Sequence, residues 1–109
     1  MMFINGKKYT RENLGKIFDY AMLNHDVSYE QIREHVRKAI QYNVNGVHCN
    51  PYWAPVIADM LEGTDIQTGL CIAFPFGAIP TSMKVQETDS LCRMLKGRPG
   101  AVDFVVNVG

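Results

Sequence analysis

Residues 101–109 read AVDFVVNVG, and the choice of fold turns on this stretch. Val102, Phe104, Val105, Val106 and Val108 form a nearly continuous apolar, β-branched run, the pattern of a strand buried on both faces. Asp103 interrupts it. A carboxylate in such surroundings demands a hydrogen-bonding or charged partner, because left unpaired it costs several kcal/mol or its pKa moves upward. A parallel strand covered on both faces also has neighbours on both sides. No residue follows Gly109 in this sequence, so the second neighbour is expected from elsewhere.

Composition narrows the classes. At 109 residues the chain can build one core and not two, and 47% hydrophobic with 20% charged residues is ordinary for a globular domain. Eleven basic residues balance 11 acidic ones and are interspersed with them, which leaves no electrostatic footprint for nucleic acid or an anionic membrane. No apolar run approaches the ~20 residues of a membrane span, and MMFINGKKYT lacks the plan of a signal peptide, so a cytoplasmic protein is the default expectation. Cys49, Cys71 and Cys92 lack CxxC spacing and read as reduced core thiols, with no zinc motif among them.

Working back from the organising strand, helical and extended patterns alternate. Thr10 caps a short helix over Arg11 to Lys16, with the residues before it packed on one end of the fold or frayed. Ile17 to Leu23 reads as a strand that carries a second carboxylate, Asp19. Ser28 and Gln31 form a capping-box signature for a helix ending near Tyr42, with Ile32, Val36, Ala39 and Ile40 on its apolar face. Gly46 to Asn50 is a short strand stopped by Pro51, Ala54 to Leu61 a helix, and Ile66 to Phe74 a third strand. After the Pro75–Pro80 loop, Thr81 or Ser82 caps a helix whose Val85, Thr88, Leu91, Cys92 and Leu95 share a face. The order β-α-β-α-β-α-β implies parallel strands with right-handed crossovers. A small doubly wound sheet and the first half (β1–β4) of a (β/α)₈ TIM barrel, preceded by a short N-terminal helix, both fit.

Neither GxGxxG nor GxxxxGK[ST] occurs, which disfavours a nucleotide-binding doubly wound sheet. Both architectures place ligands at the C-terminal ends of strands. There the chain offers Asp19, the His48-Cys49-Asn50 stretch, the turn from Pro75 to Ala78, and Asp103 with Asn107. Side-chain alternation puts His48 with Asn50 and Asp103 with Asn107, and turns Cys49 away, which argues against a Cys49–His48 nucleophile pair. From spacing alone, Asp103 is as readily an anchor for backbone N–H groups as a catalyst, and His48 reads as a satisfied, partly buried histidine. Lys84 reads as solvated or paired with Glu87.

Four pieces in order then resemble the deoxyribose-phosphate aldolases of the class I, Schiff-base type. FDYAMLNH (18–25) is similar to that family's IDHTLLKP, VHCNP (47–51) to VCVNP, CIAFPFGA (71–78) to VIGFPLGA, and VDFVVNVG (102–109) to EIDMVINIG. Thr81, Ser82 and Lys84 follow where the family often has TTEVK. The resemblance implies a barrel that reversibly cleaves 2-deoxyribose 5-phosphate to glyceraldehyde 3-phosphate and acetaldehyde through a lysine imine, with no metal or other cofactor. It implies that Asp103 relays a proton and holds a second lysine, and that Asp19 lies near the substrate. Asp103 and Asp19 are therefore the candidate catalytic residues, with His48, Asn50 and Asn107 as candidate substrate-binding residues. The chain departs from the pattern at Ala21 for threonine, Asn24 for lysine, His25 for proline and His48 for the strand-two cysteine.

The family carries its imine lysine on the sixth strand and a second active-site lysine on the seventh. Here the lysines are Lys7, Lys8, Lys16, Lys38, Lys84 and Lys96, all read as exposed helix, turn or tail. The expectation is a single incomplete barrel domain over residues 1–109, inactive alone, that binds a small sugar phosphate and either forms a homo-oligomer or joins its missing half. A non-catalytic half-barrel assembly module and an aldolase acting on another sugar phosphate are the alternatives.

Overall fold

The computed structural model describes residues 1–109. Its first ten residues are not frayed. They form a hairpin in which β1 (Met2–Ile4) pairs antiparallel with β2 (Lys7–Tyr9). Asn5 and Gly6 adopt positive φ (49° and 76°), the two-residue turn whose twist matches paired strands. Lys7 and Lys8 therefore lie in a strand, contrary to the sequence reading, although both are exposed and outside the main sheet.

Thr10 precedes α1 (Arg11–Leu14), where its backbone N–H donates to the Asn13 side chain at 2.7 Å, and a 3₁₀ turn over Gly15–Ile17 leads into β3 (Asp19–Met22). Ser28 caps α2 (Tyr29–Gln41): its hydroxyl accepts from the Gln31 N–H at 3.3 Å while the Gln31 side chain accepts from the Ser28 N–H at 2.8 Å. Ile32, Val36 and Ala39 form its buried face, whereas Ile40 faces solvent. Next come β4 (Gly46–Cys49), a 3₁₀ turn at Pro51–Trp53, α3 (Ala54–Met60), β5 (Gln67–Ile72), α4 (Thr81–Met94) and β6 (Gly100–Phe104). Pro80, and not Thr81 or Ser82, occupies the cap position of α4. Its buried residues are Leu91 and Leu95, while Val85 and Cys92 are exposed, so the inward face is rotated by about one residue from the predicted one.

Strands β3 to β6 form one parallel sheet in chain order. Val47 pairs with Thr68, Cys49 with Leu70, and Ile72 with Phe104, so these side chains point to one face. Two apolar clusters cover that face: Ile32 and Val36 of α2 and Ile57 of α3 on Val47 and Cys49, then Ala54, Ala58, Leu91 and Leu95 of α3 and α4 on Leu70 and Ile72. All three long helices thus lie on the same side. A doubly wound sheet would have helices on both, so the architecture is an α/β half barrel. No helix is long and apolar enough to cross a membrane.

The organising strand differs most from its reading. Only Gly100–Phe104 is strand, with the ladder carried one bond further where the Val105 N–H donates to the Ile72 carbonyl at 3.1 Å. β6 pairs with β5 alone, and Val102 (42% exposed), Phe104 (65%) and Val106 (58%) face solvent. The apolar run is real, but a sheet edge leaves it uncovered. Asp103 is correspondingly open, its side chain 66% exposed. Met83, Met94 and Cys92 are likewise exposed and fill no core.

His35 of α2 is structural. Its Nε2–H donates to the Tyr20 carbonyl at 3.0 Å and its ring stacks on that of Tyr20 with centroids 3.8 Å apart. Burial pushes its pKa below the ordinary value of 6.5. Below that ordinary value the unfolded chain takes up a proton that the folded state refuses. The His35 contribution is therefore intact above it and declines as pH falls, until the folded pKa is reached. Urea midpoints should drop from pH 8 to pH 5, and the drop should be shallower in His35→Phe, which keeps the ring stack; an unchanged slope would count against this assignment.

Candidate functional site

The face of the sheet without helices collects the polar residues. Side-chain alternation and register place Asp19 and Ala21 of β3, Gly46 and His48 of β4, Gly69 and Cys71 of β5, and Ala101 and Asp103 of β6 on this one face. His48 is at its centre, 5% exposed. Its ring lies over Gly69, the residue opposite it on β5, and a Cβ at Gly69 would overlap the imidazole. Glycine interrupts the strand there because another side chain needs the space.

Passing over Gly69, His48 Nδ1 comes within 2.8 Å of Asp103 Oδ2. A carboxylate only accepts, so this approach is favourable with a proton on Nδ1, and it turns Nε2 towards Asp19. Nε2 is buried without a hydrogen-bond partner, and Asp19 Oδ2 stands 3.7 Å from it, beyond direct hydrogen-bonding distance. Asn45 fixes Asp19 by donating to its Oδ1 at 3.0 Å. Beside the three residues is a pocket of about 280 Å³, to which Ala21, Cys71 and Phe74 also contribute walls. A histidine oriented by one carboxylate, with its free nitrogen near a second, is suited to passing a proton to and from a bound group.

The cysteines separate by face. Cys49 points into the helix-side core, where burial pushes its thiol up to about 11. Cys71 is on the polar face, and there burial, helped by the Asp103 charge, also raises its pKa. Neither is a nucleophile at neutral pH. One donor atom each from His48, Cys71 and Asp103 nevertheless lie within 4.8 Å of one another.

Of the five candidate residues, the structure brings together Asp19, His48 and Asp103. Asn50 is not in the pocket lining. Its side-chain amide donates to the Leu23 and Asn24 carbonyls at 3.2 Å each, clamping the loop after β3 to the end of β4. Asn107 lies beyond β6, so strand alternation no longer ties it to Asp103; it lines a separate groove of about 1040 Å³ between α4 and the chain after β6. Lys84 lines that groove too. Its ammonium donates to the Val105 carbonyl at 2.8 Å, while Glu87, its predicted partner, accepts from the Ala73 N–H at 3.1 Å. Sequence reasoning missed Cys71, whose approach to His48 depends on strand register. The usable signal was Gly69, a glycine inside an otherwise apolar strand.

No family model matches the chain. It is 34% identical over 94 residues to a deoxyribose-phosphate aldolase of Coprothermobacter proteolyticus, covering 86% of this chain and 42% of that one. To the deoxyribose-phosphate aldolase of a Geobacillus strain it is 34% identical over 97 residues, covering 89% and 42%. Among solved structures, the tetrameric deoxyribose phosphate aldolase of Aeropyrum pernix superposes with a TM-score of 0.79 at 22% identity, over 91% of this chain and 41% of that chain, a likeness of fold. The chain thus spans about two fifths of the length of the curated relatives it matches.

Proposed function

The chain is a partial-length relative of the deoxyribose-phosphate aldolases, and on that premise we propose that it supplies the acid–base side of a lysine-imine aldolase acting on 2-deoxyribose 5-phosphate. The products would be glyceraldehyde 3-phosphate and acetaldehyde, formed reversibly. The observation that carries this reading is the buried His48 imidazole between Asp103 and Asp19 on the helix-free face. Cleavage of a carbon–carbon bond next to an imine needs a base for the substrate hydroxyl proton and an acid for the enamine carbon that results. His48 Nε2 can take the first proton and return it in the second step. Asp103 holds the ring and stabilises its charged form, and Asp19, fixed by Asn45, faces the hydroxyl.

None of the residues on that face is a lysine, so the imine amine would come from a further segment or chain. β3 and β6 are each paired on one side only, and Phe104, Val106 and Val108 are exposed beside the open β6 edge. Such edges call for a partner that continues the sheet: the remainder of the barrel, or a second copy. These same exposed edges are what favours the alternative of a purely assembling half barrel.

Borohydride trapping with acetaldehyde, read by intact mass and peptide mapping, tests the division of labour. No added mass is expected on this chain alone, and a trapped adduct is expected on a lysine of the completing half when that half is supplied. An adduct on one of this chain's own lysines would overturn it. Trapping in neither case, with a stable dimer of the chain, would favour the assembly module. A panel of aldehyde acceptors separates 2-deoxyribose 5-phosphate chemistry from that of another sugar phosphate, since Ala21 and His48 are the departures nearest the site.

A further inference from the structure

We propose that the helix-free face of the sheet binds a divalent transition-metal ion of the zinc class through His48, Cys71 and Asp103. The three donors lie within 4.8 Å of one another and come from neighbouring strands held in fixed register, Cys71 directly opposite Asp103. An imidazole nitrogen, a thiolate and a carboxylate oxygen make a mixed soft and borderline set that suits zinc or cobalt better than magnesium or calcium. Three protein ligands beside a pocket of about 280 Å³ leave a fourth position for water or a small ligand.

His48 Nε2, on the side of the ring away from the three donors, faces Asp19. A metal-bound histidine commonly donates its second ring N–H to a carboxylate, which fixes the tautomer. Here Nε2 is buried without a partner, and the Asp19 carboxylate stands 3.7 Å away, held by Asn45. On binding, Cys71 releases its thiol proton to solvent. The metal binds at Nδ1 on the side of Asp103, and the ring proton is carried on Nε2 facing Asp19. The buried anionic sulfur of Cys71 and the exposed carboxylate of Asp103 then balance the charge of the ion. Metal binding and the Asp103-oriented free imidazole are mutually exclusive states of the same residues. The inference does not depend on aldol chemistry, because binding needs only groups already in the sheet.

Titration of the chain with Co²⁺, followed by absorption, is the test. A thiolate-to-cobalt charge-transfer band saturating at one equivalent is expected, with one proton released per ion. Cys71→Ser should abolish the band, Cys92→Ser should leave it intact, and Asp19→Asn should weaken binding about 10–100-fold. Without recourse to variants, Zn²⁺ should slow alkylation of Cys71 while leaving that of the exposed Cys92 unchanged. Absence of a thiolate band, a band that survives Cys71→Ser, or equal alkylation of Cys71 with and without Zn²⁺ would each overturn the proposal.

Discussion

Gly69→Ala is expected to lower unfolding stability by about 1–3 kcal/mol, the usual cost of forcing extra volume into a packed site. The new Cβ would occupy the space of the His48 imidazole, which cannot swing away freely: its Nδ1 lies 2.8 Å from Asp103 Oδ2 and its ring is almost wholly buried. Either the β4–β5 pair spreads or the ring leaves its seat. The first outcome shows as a lower denaturation midpoint with the m-value unchanged. In the second, the aldol activity of the assembled enzyme should also fall, by more than the stability loss explains. Ser90→Ala, on the exposed side of α4, should stay within about 0.5 kcal/mol of the parent and serves as the control. A Gly69→Ala protein as stable as the parent would mean that His48 is not seated over β5.

Removing the carboxylate that orients His48 should have the larger effect on turnover. Under the proposed function, Asp103→Asn in the chain joined to its completing half is expected to lower kcat for 2-deoxyribose 5-phosphate cleavage by about 10²–10⁴-fold, the range for loss of a positioned acid or base. KM should change much less. The Asp103 side chain is mostly exposed and packs no core, so folding should survive the substitution. His48→Gln should cost a similar factor. The double variant should cost little more than either single one, because the pair acts as a unit. Additive losses would show that Asp103 and His48 act independently, and unchanged kcat in both would remove them from the chemistry.

How far the sequence could be read depended on the range of the forces involved. The strand and helix alternation was legible because it rests on local periodicity, as with the Ser28–Gln31 capping box and the Ile32, Val36, Ala39 stripe. Asp19 and Asp103 stood out because carboxylates are costly inside apolar runs, and both lie on the polar face beside His48. The burial of AVDFVVNVG was misjudged because burial belongs to the neighbours of a strand as much as to its residues, and β6 has a neighbour on one side only. The meeting of His48, Cys71 and Asp103 depends on register across three strands, which no local window contains. Asn5-Gly6 was a different case. The hairpin signal was present and local, but the flanking strands are too short and polar to show a clear alternation.

Because the sheet follows chain order, the domain can be completed in the direction in which a ribosome makes it. The first apolar cluster draws on no residue beyond Ile66, so it can close while α4 and β6 are still unmade. The second needs nothing beyond Leu95. Asp103 arrives after both, on the last strand to dock. In a nascent chain, His48 would thus be walled in by β4 and β5 before the carboxylate beside it exists.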